Sequence, residues 1–158
     1  MRHRRSALEA QLLRLAPRMR RFALVLTQGA PDSANSLVAA AYDNLWRKAA
    51  KNAARHDPAE LDIAAFSEMV TLWRDHLSNT DCLEAPAILP QSSPKAAILS
   101  LEIDDRVVIG LMVIERLSAQ LTGSILGIPS QRAAQIHARA RRSLDIALGA
   151  NRRAEGAA

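Results

Sequence analysis

Residues 123–144 read GSILGIPSQRAAQIHARARRSL, and this stretch decides the fold. Gly127 follows Leu126 at the end of an apolar-periodic segment, where a residue free to take a positive φ can turn the chain. Pro129 cannot continue the preceding helix, and Ser130 can cap the next one. Ile128 between them is the expected plug under the turn. A compact helix, a short turn containing glycine and a second helix are the parts of a helix-turn-helix. An ordinary helical hairpin shares that spacing, so the stretch by itself leaves both open.

Reading outward, the rest of the chain is helical as well. Leu8, Leu12, Leu15, Met19, Phe22 and Leu26 recur at spacings of three and four, which places them on one stripe of a long helix ending near Gly29, with arginines on its other face. Pro31 suits the first turn of a second helix, to about Ala50, and Asp32 complements its positive end. Leu37, Val38, Tyr42 and Leu45 face inward from it. Asp57-Pro58 marks a break, and a third helix from about Ala59 to Leu77 buries Leu61, Phe66, Met69, Leu72 and Trp73. Residues 78–95 carry three prolines and a polar excess, the composition of a linker. Beyond it, Ala96–Leu101, Asp104–Glu115, Ser118–Leu126 and Ser130–Leu148 show helical spacing. No stretch alternates as a half-buried strand does. The expectation is an all-α chain of two small helical bundles, residues 1–77 and 96–158, joined by a linker over 78–95.

Composition narrows the partners. The chain has 158 residues and a formal charge of +5, a length that fits one domain or two small ones. Its cations are clustered. Seven arginines lie between Arg2 and Arg21, and Arg116 to Arg142 holds five with no acid among them. A polyanion is therefore the first partner to consider, beside the plainer reading of solvated helix faces. Cys82 stands alone and cannot form an internal disulfide, which suits a cytoplasmic protein. The run Phe22 to Leu26 is too short to span a bilayer, so no membrane role follows.

The residues also argue against an enzyme. His3, His56, His76 and His137 lack metal-ligand spacing with Cys82 or with each other, and no glycine-rich phosphate loop occurs. No cofactor, metal or small-molecule substrate is expected. Asp104 and Asp105 are adjacent and do not face each other on a helix, so capping before Arg106 is the better account of them.

The stretch AAILSLEIDDRVVIGLMVIERLSAQLTGSILGIPSQRAAQIHARARRSL, residues 96–144, resembles the fourth-region domain of extracytoplasmic-function sigma factors. Leu101, Arg106, Leu111, Leu117, Ser118, Ile125 to Pro129, Arg139, Ala140, Arg141 and Leu144 fall on that pattern. LAPRMRRFALVLTQGAPDSANSLV, residues 15–38, is similar to the opening helices of the family's second-region domain. ELDIAAFSEMVTLWRDHLS, residues 60–78, is similar to the segment that closes it. The resemblance spans roughly residues 8 to 148. It implies a first lobe that grips RNA polymerase core and melts the minus-ten element, and a second lobe that binds the minus-thirty-five element.

Carried over position by position, the resemblance places DNA contacts on Arg132, Gln135, Arg139, Arg141 and Arg142. It places polymerase or partner contacts on Asn35, Ser36, Val38 and Leu121, and minus-ten contacts on Thr71, Arg74 and Asp75. The surfaces depart from the family. Asn35-Ser36 replaces an acidic pair, Ala64-Ala65 a Trp-Leu, and Thr71 an asparagine. In the recognition helix Ala134 and Ile136 stand where cations are usual, while Gly123 costs the first motif helix up to about 1 kcal/mol of propensity. An exposed Leu121 suits a protein partner. Two functions follow. One is a divergent sigma factor that binds polymerase core and promoter DNA; the other is a sigma mimic without promoter activity that binds an anti-sigma or similar regulator.

Overall fold

The computed structural model of the chain describes residues 2–51, 58–79 and 94–155, with side chains over 9–48, 60–77 and 94–149. Three long helices come first: α1 (Arg2–Leu26), α2 (Pro31–Lys51) and α3 (Pro58–Asn79). Pro31 opens α2 with Asp32 in its first turn, and a turn through Gln28 and Gly29, both at positive φ, separates it from α1. Shorter elements follow: α4 (Pro94–Leu99), α5 (Ile103–Ile109), a π-helical turn over Gly110–Ile114, α6 (Ala119–Leu126) and the long α7 (Ser130–Glu155). No strand occurs among the described residues. Residues 80–93 of the expected linker lie outside the described residues, as does Cys82; 78–79 close α3 and 94–95 open α4.

Helical spacing put the α1 stripe inside. Leu12, Leu15, Met19, Phe22 and Leu26 are all buried, and they meet Leu61, Phe66, Met69 and Trp73 from α3. Phe22 and Phe66 pack edge to face, with centroids 5.4 Å apart, a geometry that adds about 0.5–1.5 kcal/mol beyond area burial. The cluster does not stop at the first three helices. Val107 of α5, Leu111 of the π-turn and Ile125 of α6 belong to the same continuous core, so the interior built by residues 12–73 is completed by the second stretch of chain.

The expected helix over Asp104–Glu115 divides at Gly110. A Cβ on Gly110 would lie 2.9 Å from the Phe22 ring and 3.3 Å from Val25, so glycine lets this element sit directly on α1. The π-turn ends at Glu115 and Arg116, the latter at φ +56°. That left-handed residue redirects the chain into α6.

Candidate DNA-reading helix and partner groove

Ser118 begins the motif. Its hydroxyl accepts the Leu121 amide at 3.2 Å and caps α6, satisfying one of the donors a helix start leaves open. Gly127 ends α6 in the left-handed region, φ +68°, and the Ile128 amide donates back to the Gly123 carbonyl. Gly123 corrects the expectation of a mere propensity cost. A Cβ there would meet the Ile128 carbonyl oxygen at 2.7 Å and the Ser130 nitrogen at 3.2 Å. The turn folds onto α6 so closely that no side chain fits.

From that turn α7 emerges with Ala133, Ile136 and Ala140 buried, an i, i+3, i+7 stripe packed on the second half of the chain. Ile136 therefore faces inward and replaces no DNA-binding cation on the surface, contrary to the sequence reading; Ala134 is exposed. Leu121 is half-buried, not exposed. Arg132, Gln135, Arg139 and Arg142 form the neighbouring stripe, all exposed, with Arg141 also open to solvent.

Arg139 differs from the rest. Its Nε donates to both Asp105 carboxylate oxygens, at 3.0 and 3.2 Å, and its terminal nitrogen also pairs with that group. These bonds raise its pKa above the ordinary arginine value. Asp105 is 4% exposed and makes no cap; it ties α5 to α7, which corrects the capping role expected for it. Next to it, Arg106 is buried too. One terminal nitrogen donates to the Leu99 carbonyl at 3.1 Å, its Nε has no partner among the described residues, and burial lowers its pKa. His137 is held below the usual imidazole value by burial and then by Arg141.

Of the expected partner residues, Asn35, Ser36 and Val38 lie on α2, whereas Leu121 lies apart from them on α6. A groove of about 1020 Å³ runs between α1 and α2, floored by Leu13, Leu24, Val38, Tyr42 and Trp46 and rimmed by Glu9, Arg20, Arg21, Asn35 and Asp43. Asn35 and Val38 line it, while Ser36 is exposed beside it. Leu13 is 61% exposed, and an apolar floor of this kind marks interaction surfaces. Of the two tryptophans expected inside, Trp73 is buried and Trp46 is half-buried in the groove wall. Thr71, Arg74 and Asp75 lie exposed on α3, with Arg74 Nη2 3.8 Å from Asp104.

Sequence reasoning missed the residues that join the two stretches. Glu115 is buried, its carboxylate accepting from Arg18 Nε at 2.9 Å and from Arg21 Nε at 3.2 Å, and Arg18 also pairs with Asp62. A signal existed. Arg18 sits on the Leu15–Phe22 stripe and Glu115 four residues after buried Leu111, both at inward positions.

These features define a class: an all-α chain with three long helices in its first half and, in its second, the helices α6 and α7 joined by a tight turn at Gly127. Comparison with solved structures places that fold. RpoE, a sigma factor of Bartonella quintana solved in complex with the anti-sigma factor NepR, superposes with a TM-score of 0.71 at 21% identity, over 90% of this chain and 97% of that one. The chain has the fold of a sigma factor, in both halves. No protein-family model matches it, and comparison with curated proteins gives no match. No described helix is long and apolar enough to cross a membrane, and no metal-binding cluster occurs among the described residues.

Proposed function

We propose that the chain is a divergent sigma factor of the extracytoplasmic-function type, binding RNA polymerase core through the α1–α2 platform and promoter DNA through α7. The observation that carries this reading is the exposed stripe Arg132, Gln135 and Arg142, with Arg141 beside it, on the second helix of a helix-turn-helix. Arginine to guanine and glutamine to adenine are the standard bidentate pairs of the major groove. Arg139 contributes through the fold, since Asp105 already holds its guanidinium.

A specific feature favours the second reading, a sigma mimic that binds a regulator. The α1–α2 groove is apolar in its floor, and Asn35 at its rim is uncharged where an acidic pair is usual for core binding. Such a groove accepts the apolar face of a helix. RpoE of Bartonella quintana was solved with an anti-sigma factor, and a regulator of that kind is the natural partner on either reading. The deciding experiment is a pull-down of polymerase core with the purified chain, followed by transcription from a genomic promoter library. Retained core and a defined transcript establish the sigma factor. Absence of both, with a small helical protein copurifying, establishes the mimic.

A further inference from the structure

We propose that Arg116 is a further DNA-contacting residue, a strained arginine ahead of α6 that grips a backbone phosphate beside the site read by α7. This role rests on the sigma-factor reading above and adds to it a residue outside the α7 stripe.

Two residues at left-handed φ frame α6: Gly127 after it, at φ +68°, and Arg116 before it, at φ +56°. Glycine adopts that conformation without steric cost. In arginine it presses Cβ toward the following carbonyl oxygen, which is destabilising. A residue other than glycine stays there only when its surroundings hold it, and such residues cluster at functional sites. Here both neighbours are held. The Glu115 amide donates to the Gly110 carbonyl and the Leu117 amide to the Leu111 carbonyl, each at 3.0 Å. Glu115 is buried against Arg18 and Arg21, and Leu117 packs on the core. With its neighbours fixed inward, Arg116 is turned out to solvent.

Glycine would make this turn without strain, so the fold gains nothing from a long side chain here. Arg116 enters no ion pair or side-chain hydrogen bond among the described residues. The adjoining acid, Glu115, is paired with α1, and no further carboxylate occurs before Asp145. Arg139, by contrast, is held by Asp105. The strained turn therefore presents an uncompensated cation at the head of α6. In a helix-turn-helix the first helix crosses the DNA backbone while the second lies in the major groove. Arg116 directly precedes the first of these helices, and Arg132 and Gln135 lie in the opening turns of the second. Because the turn after α6 is closed against Gly123, the two helices are fixed to each other and Arg116 keeps a constant offset from the α7 stripe. A guanidinium can meet a phosphate with two parallel N–H donors. Such a contact sets register without reading sequence.

Strain and contact have opposite signs, which makes the role testable. Arg116→Gly removes both. It should raise the urea midpoint of the full chain with helicity unchanged. In fluorescence anisotropy with a mixed-sequence duplex of about 30 base pairs, it should lower the slope of log affinity against log salt by about 0.9. From about 50 to about 200 mM salt, wild type should then lose about 3.5-fold more affinity than the variant. Arg116→Asn, which also tolerates this φ, should match Arg116→Gly in slope, and Arg116→Lys, which keeps the charge, should match wild type. A raised midpoint with the wild-type slope overturns the contact. A lowered midpoint in Arg116→Gly overturns it too, since the side chain would then serve the fold, and so does an Arg116→Lys slope as low as that of Arg116→Gly. A wild-type chain that binds no duplex overturns the sigma-factor reading and this contact together, whereas a slope that falls in Arg132→Gln but not in Arg116→Gly overturns the contact alone.

Discussion

Gly123 and Asp105 show how single residues shape the α6–α7 end of the molecule. At Gly123 the Ile128 carbonyl comes within 2.7 Å of where a Cβ would stand, so Gly123→Ala forces the turn off α6. Its expected cost is about 1–3 kcal/mol in urea unfolding, although alanine is the better helix former. Gly149, with open space around its Cβ position in α7, is the control: there alanine should add up to about 1 kcal/mol. A second residue-level prediction concerns pH. Burial and Arg141 hold His137 below its ordinary value of 6.5, so just below that value the unfolded chain binds a proton that the native imidazole refuses. Stability then falls as pH drops through the ordinary value, and the loss ends once the native imidazole also protonates. His137→Gln should reduce the stability difference between pH 7.5 and 5.5, measured by urea titration. Equal differences in both proteins would show that His137 contributes nothing to it.

At the scale of elements, periodicity carried most of the fold. The α1 stripe, Pro31 at the start of α2, Pro58 at the start of α3 and the Ser118, Gly127 and Ser130 punctuation of the motif all act within a few residues of themselves, and such signals are written in local sequence. What stayed hidden was pairing at long range. Asp105 reads as a capping acid because it opens a helix; its partner Arg139 lies 34 residues on, and no local pattern links the two. The π-turn was hidden for the same reason, since Gly110 answers to Phe22 on another helix. Ile136 was misread because the family pattern names its position and only the packed helix shows its direction. The α7 stripe supplies the element-level prediction. On the sigma-factor reading, Arg132→Gln and Arg142→Gln should each weaken binding to duplex DNA. Removing a cation that neutralises one phosphate should reduce the slope of log affinity against log salt by about 0.9. An unchanged slope in fluorescence anisotropy would place the DNA-binding surface elsewhere.

For the whole molecule, the central question is whether two halves that read as separate bundles behave as one. Part of the interior is shared: Val107, Leu111 and Ile125 from the second stretch join a cluster with Leu12, Phe22, Phe66 and Trp73 from the first, while Leu101, Ile109 and Ala140 form a second, smaller one. A core held in common transmits damage, because a cavity on one side strips packing from the other. Phe66 lies at the junction, fully buried, edge-on to Phe22 and beneath the Arg18 guanidinium that clasps Glu115. Phe66→Ala should cost about 3–5 kcal/mol. Its reach distinguishes the architectures. If the halves were independent, amide exchange would quicken in α1–α3 and leave α7 untouched. Packing of α6 against both α3 and α7 predicts faster exchange in α7 as well, at Ala133 and Ile136, although the substitution lies more than 60 residues away in sequence. Wild-type unfolding should likewise follow one transition by tryptophan fluorescence, which reports Trp46 and Trp73 in the first half, and by circular dichroism, which reports every helix. Two separated transitions would mean that the observed packing between the halves contributes little to stability.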